Sequence, residues 1–188
     1  MWLYIQSRGG KLTVYLDMDG VIADFFGAIK QKFDVDHWKS LNDREAAFAS
    51  LRNTGWFYTL PKFPESNKIV SFVEDITDGD WGICSSPLRG DRDNSAYWKR
   101  RWLEDNLYVP PLIENMIFTS NKHKYAWNKL TRKPNILIDD RPDNIRRWIE
   151  AGGIGIVFQC DQDDIETLFS KLEIAIERAR TFELKNAV

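Results

Sequence analysis

Four short clusters of reactive side chains punctuate the chain: Asp17 and Asp19 in LDMDG, Ser85 and Ser86 in ICSSP, Lys122 in TSNKHK, and Asp139 with Asp140 in LIDDR. Carboxylates gathered at one place repel one another and cluster stably only with protons or a cation among them. Hard oxygen donors with room for water suit Mg²⁺. A divalent cation beside a carboxylate, an ammonium and hydroxyl donors makes a site for a phosphoryl group, because each part neutralises or hydrogen-bonds its non-bridging oxygens. Asp17, ionised at neutral pH, is the candidate nucleophile that would form an aspartyl-phosphate. Asp19, two residues on, is the candidate acid and base. It would protonate the leaving oxygen and then deprotonate the attacking water, which requires a raised pKa.

For these clusters to meet, the chain must bring four distant segments together. Each cluster ends a short apolar run of strand length, at 12–16, 81–84, 113–118 and 135–138, and a fifth run lies at 154–158. Amphipathic stretches at 66–76, 93–106, 122–130, 142–150 and 163–180 read as helices, with Pro142 suited to a first helical turn. The alternation predicts an α/β fold, a doubly wound five-stranded parallel sheet whose ligands bind outside the carboxyl ends of the strands. About 45 residues between the first strand and the helix at 66 exceed a crossover loop. The expectation is a small helical cap over 21–64, helical at 21–33 and 42–52 and returning through the aromatic GWFYTLPKFP, inserted into a core made of 1–20 and 65–188.

Composition narrows the classes further. With 43% hydrophobic and 29% charged residues over 188 positions, the chain has enough apolar material for one core and is excluded from the disordered class. The 26 basic and 28 acidic side chains leave a formal charge of −2, which argues against a protein that tracks a nucleic-acid backbone. Cys84 and Cys160 sit far apart in apolar runs, so neither a disulfide framework nor a zinc site is expected, and a reducing, cytoplasmic setting is. The N-terminal MWLYIQSRGGKL lacks a basic n-region, and no run approaches the roughly 20 apolar residues of a membrane span. His37 and His123 lack ligand spacing and read as surface residues, and AGGIGIVF runs into a strand, so it is no dinucleotide fingerprint.

The segments YLDMDGVIADF, ICSSP, Lys122 and LIDDRPDN resemble, in order, the four motifs of haloacid dehalogenase (HAD)-like phosphatases, and most nearly those of the 5'(3')-deoxyribonucleotidases. That resemblance implies a HAD-like core with a cap, a Mg²⁺ cofactor and a small-molecule nucleoside monophosphate as substrate. It implies Asp17 as nucleophile and Asp19 as acid/base, with Asp17, the Asp19 main-chain carbonyl and Asp140 on the metal and Asp139 beside them as ligand or support. Ser85, Ser86, Lys122 and Lys99 would bind phosphate, and Phe25, Trp56 and Phe57 would flank the nucleobase. Two departures stand out: Ser120 replaces an arginine of the family's Thr-Arg-Asp-Lys stretch, and the insert after the first motif is shorter than in mammalian members.

Judged without the family, some of these residues have plainer uses. Lys99, Arg100 and Arg101 read equally well as the polar face of a helix. Arg141 could serve as the charge partner of the Asp139–Asp140 pair. Competing functions are a HAD-type phosphatase for a sugar phosphate or a nucleic-acid 3'-phosphate end, and a receiver-type module that accepts a phosphoryl group on Asp17 without turning it over. Oligomeric state, monomer or homodimer, is not legible.

Overall fold

A computed structural model describes residues 12–182; the stretch 1–11, with most of the N-terminal segment discussed above, and 183–188 lie outside the described residues. In chain order the elements are β1 (Val14–Leu16), α1 (Phe25–Phe33), α2 (Arg44–Ala49), α3 (Ser66–Thr77), β2 (Trp81–Ser85), α4 (Arg92–Asn106) and β3 (Met116–Phe118). They continue with β4 (Trp127–Asn128), β5 (Lys133–Pro134), β6 (Ile136–Asp139), α5 (Pro142–Glu150), β7 (Ile154–Val157) and α6 (Ile165–Arg180). Five strands form one parallel sheet in the order β3-β2-β1-β6-β7, and β4 pairs with β5 in a separate two-stranded ribbon.

The order matters for function. After β1 the chain builds outward through β2 to β3, then crosses back to β6 and builds outward on the other side. Strands diverging from β1 in this way open a crevice at their carboxyl ends, between β1 and β6, where open α/β sheets take ligands. Registers Leu16↔Ile83 and Leu16↔Ile138 align the three central strands so that Asp17 is level with Asp139 and with Cys84, and Ser85 lies one residue further along its strand. Val14, Leu16, Ile83, Ile136 and Ile138 are fully buried, as expected of strands covered on both faces.

Residues 21–64 leave and rejoin this sheet side by side. Ala23 bridges Lys62, Asp24 N–H donates to the Pro61 carbonyl at 2.8 Å, and Ser66 Oγ donates to the Ile22 carbonyl at 2.6 Å. Trp102 Nε1 donates to the Leu60 carbonyl at 2.7 Å, which ties the return turn at Trp56–Thr59 to α4.

Three expected elements differ. The stretch 122–130 is not a helix: after a 3-10 turn at Lys122–Tyr125 the chain enters β4, and Asn128 Oδ1 accepts from the N–H groups of Leu130 (3.0 Å) and Thr131 (3.1 Å). Such side-chain bonds give the backbone an alternative to helical ones. The strand expected from 113 starts at Met116, because Pro110 and Pro111 lead into a 3-10 turn over Ile113–Asn115. The first insert helix starts at Phe25 instead of 21; Asp24 caps it by accepting from Gly27 N–H at 2.7 Å. Cys84 and Cys160 are both free, and among the described residues no helix is long and apolar enough to cross a membrane.

Candidate active site

The loop after β1 sets the first cluster. The Met18 carbonyl accepts from the N–H groups of Ile22 (3.0 Å) and Ala23 (2.9 Å), folding the chain back directly beyond Asp17. Gly20 lies at φ +77°, in the left-handed region, and a Cβ there would stand 3.0 Å from the Phe26 ring and 3.1 Å from the Asp140 side chain. Glycine thus lets the β1 and β6 ends close on each other.

Asp17 is 4% exposed and both its oxygens are engaged. Oδ1 accepts from Met18 N–H at 2.7 Å, and Oδ2 lies 2.7 Å from Lys122 Nζ. The same ammonium donates to Asp139 Oδ2 at 2.6 Å. Asp139, fully buried, also accepts from the backbone N–H of Arg141 (2.9 Å) and from Asn144 Nδ2, which reaches Oδ1 at 3.0 Å and Oδ2 at 3.1 Å. The guanidinium of Arg141 is therefore not the partner of this carboxylate; Lys122 and Asn144 are.

A second ammonium serves the other flank. Lys99 Nζ, delivered by α4, donates to Asp19 Oδ2 (2.6 Å), Ser85 Oγ (2.9 Å) and the Ser86 carbonyl (3.0 Å), and stands 4.6 Å from the centre of the Phe57 ring. Lys99 is wholly buried, so it is not part of a solvated helix face; Arg101, paired with Glu104 and Asp105, is. The Asp19 side chain remains 21% exposed, and its Oδ1 is a buried atom with no hydrogen-bond partner.

Asp17, Asp139 and Asp140 each offer an oxygen, all within 4.8 Å of one another. With Asp19, four carboxylates face two ammonium groups, an excess of two negative charges when all are ionised. A divalent cation cancels that excess. Hard oxygen donors carrying an uncompensated negative charge are the chemistry Mg²⁺ fits.

The protonation pattern separates the two catalytic candidates. Burial pushes Asp17 up, but Lys122 and Lys99 outweigh it and hold the carboxyl below its usual value. Burial raises Asp19, with the Lys99 charge opposing and the Asp17 charge adding. Asp140 is pushed up to about 8 by burial and then by Asp17 and Asp139. Asp139 is raised by burial and Asp17 against the pull of Lys122, whose own value is raised because its two carboxylates overcome burial. An ionised Asp17 beside a more readily protonated Asp19 is the pairing that nucleophilic attack with acid assistance needs.

Around this centre, Ser85 is fully buried, whereas Ser86 is half-buried with Oγ 3.4 Å from the Thr119 carbonyl. Ser120 is exposed at the lip beyond β3. Of the three expected aromatics, Phe25 is half-buried, while Trp56 and Phe57 are 9% and 2% exposed and pack behind it, with ring centroids 5.3 Å and 6.4 Å from its own. The sequence reading missed Phe26, whose ring borders Gly20 and Asp140 and stacks on Trp38 at 6.2 Å. The Phe25-Phe26 doublet directly after the Asp24 cap was the signal for it. Asn144 was missed too; an asparagine in a first helical turn looks like any capping residue.

No protein-family model matches the chain. The mitochondrial 5'(3')-deoxyribonucleotidase of Homo sapiens is 28% identical, in an alignment covering 73% of this chain and 65% of that protein. The Mus musculus protein of the same name is 28% identical, covering 73% and 68%. The chain thus spans just under two thirds of the human protein. A HAD family enzyme from Bacteroides thetaiotaomicron has the same fold at 12% identity, with a TM-score of 0.50 over 86% of this chain and 99% of its own. The chain shares the fold of that HAD family enzyme and is similar in sequence to the two 5'(3')-deoxyribonucleotidases.

Proposed function

We propose that the chain is a Mg²⁺-dependent phosphatase that hydrolyses (deoxy)ribonucleoside 5'- or 3'-monophosphates to nucleoside and phosphate through an aspartyl-phosphate. The observation that carries this reading is the meeting of Asp17, Asp19, Lys99, Lys122 and Asp140 at one end of the central strands. The sequence relation to deoxyribonucleotidases supports the substrate class.

In this reading Asp17, the Asp19 main-chain carbonyl and Asp140 would hold Mg²⁺, which supplies charge neutralisation at the phosphoryl oxygens. Asp17, kept ionised and fixed by Met18 N–H and Lys122, presents an oxygen to the phosphorus. Its bond to phosphorus forms as the ester bond breaks, and Asp19 gives its proton to the departing nucleoside oxygen. The ionised Asp19 then takes a proton from water, whose oxygen attacks phosphorus and returns Asp17 to a free carboxylate. Lys99 orients Asp19, and Ser86 and Lys122 face the phosphoryl oxygens while Ser85 lies beneath, bound to Lys99. Phe25, backed by Trp56 and Phe57, forms the wall against which a base would stack. Residues 21–64 act as the cap that closes this space. The two free thiols suit a reducing compartment such as the cytoplasm, and a role in nucleotide metabolism follows from the substrate.

Asp19 is what separates an enzyme from a module that merely stores phosphate, since storage needs no second carboxylate placed as acid and base. The test is phosphate release from a panel of nucleoside 5'- and 3'-monophosphates, sugar phosphates and 3'-phosphorylated oligonucleotides, with and without Mg²⁺. Release from the nucleotides that needs Mg²⁺ is expected. Release confined to sugar phosphates or oligonucleotides overturns the substrate class, and none from any substrate overturns the hydrolase.

A further inference from the structure

Asp139 and Asp140 are adjacent in sequence, and both belong to the cluster that could hold a cation. Their surroundings tell them apart. An ionised carboxylate has about four lone-pair positions. Asp139 fills them from protein alone: Lys122 Nζ on Oδ2, Arg141 N–H on Oδ1, and Asn144 Nδ2 on both oxygens. Among the described residues, no hydrogen bond or ion pair engages the Asp140 carboxylate, which remains half-buried and open.

We propose that Asn144 is the positioning residue that withdraws Asp139 from the metal's ligand set and makes it the anchor of Lys122. The proposal rests on the phosphatase reading above. Asn144 lies in the first turn of α5 and its amide reaches back to a carboxylate five residues earlier. Held from that side, Asp139 keeps Oδ2 on the Lys122 ammonium, and that ammonium in turn stays 2.7 Å from Asp17 Oδ2. Without the amide, Asp139 has two free lone pairs and can turn toward the cation, and Lys122 loses one of its two partners. Asn144 thus acts through Asp139 and Lys122 on the reacting carboxylate without touching substrate. The proposal requires Asp140, the ligand the family resemblance already implied, to hold the metal without Asp139.

Two measurements on the full chain test this. Calorimetric titration of Mg²⁺ alone into the phosphate-free protein should show Asn144→Leu binding about tenfold more tightly than wild type, because the released Asp139 adds a carboxylate to the ligands around the cation. Nucleotide hydrolysis at saturating Mg²⁺ should lose kcat while KM stays within about threefold, since no substrate contact is removed. A merely structural Asn144 would lower the melting temperature and leave the Mg²⁺ Kd of the folded protein unchanged; that result overturns the proposal. The same titration on Asp139→Asn and Asp140→Asn covers a variant that fails to fold. A larger loss of Mg²⁺ affinity in Asp140→Asn is expected, and an equal or larger loss in Asp139→Asn overturns the assignment. Wild type that binds no Mg²⁺ overturns the phosphatase reading itself, a separate and recognisable outcome.

Discussion

The two buried lysines meet their carboxylates under different conditions. Lys122 sits between Asp17 and Asp139 in a pocket where all three side chains are at most 6% exposed, and every oxygen of the two carboxylates has a protein donor. Lys99 meets one carboxylate, Asp19, whose side chain is 21% exposed and keeps one oxygen without a partner. The saturated side is built to hold still. The unsaturated side retains the freedom to exchange a proton with something that enters, and the contrast supports the roles proposed for Asp17 and Asp19.

The largest expected effect sharpens that contrast at the two carboxylates. Asp17→Asn removes the proposed nucleophile and should lower kcat by about 10⁴-fold or more. Asp19→Asn should lower it by about 10²- to 10⁴-fold, the range for a lost general acid/base. Single-turnover kinetics on both variants check this, and near-normal turnover in either reassigns its role.

Removing the cations should rank the two sides by stability. Lys122→Met leaves Asp17 and Asp139 facing each other in a buried site, at a cost of about 3–5 kcal/mol. Lys99→Met leaves a partly solvated Asp19 and should cost less. Urea unfolding without metal measures both, and a larger loss for Lys99→Met would erase the distinction.

A third prediction concerns pH. Asp140 at about 8 in the folded protein titrates near pH 4 when unfolded, so between those values the folded state holds a proton that the unfolded chain has lost. Its stabilising contribution is complete below about pH 4 and is lost as pH rises through 8. Asp19 and Asp139, also raised, act in the same direction, while Asp17, lowered, contributes above its unfolded value and loses that contribution only in acid. The melting temperature of the metal-free protein should therefore fall from about pH 6 to pH 9, and Mg²⁺ should flatten that slope by taking the proton's place. A metal-free slope that is flat or rising contradicts the charge assignment.

The smallest effect belongs to the aromatic wall. Phe25→Ala should raise KM for a nucleotide more than for a small aryl phosphate, by roughly tenfold if one stacking face is worth about 1–2 kcal/mol. Equal shifts would return Phe25 to packing alone. Trp56 is a poorer probe, because at 9% exposure its removal opens a core cavity.

The strand-end residues were legible because short apolar runs, each followed by a polar cluster, specify both the sheet and its reactive edge. Lys99 was legible only through the family resemblance: by spacing alone one buried lysine in a Lys-Arg-Arg tract looks like its exposed neighbours, and packing of α4 against Phe57 and Asp19 distinguishes it. The false helix over 122–130 arose because Asn128 spends its side chain on the next turn, a competition that apolar periodicity does not register. Asn144 escaped notice because its role depends on Asp139 being out of reach of water.

Trapping the covalent intermediate tests the central claim most directly. Borohydride added during turnover of a nucleoside monophosphate with Mg²⁺ reduces an acyl phosphate to the alcohol, and mass spectrometry of the peptides locates it. The account predicts homoserine in place of Asp17, dependent on substrate and absent from Asp17→Asn. Turnover that leaves every carboxylate unmodified, or that marks one other than Asp17, would contradict it.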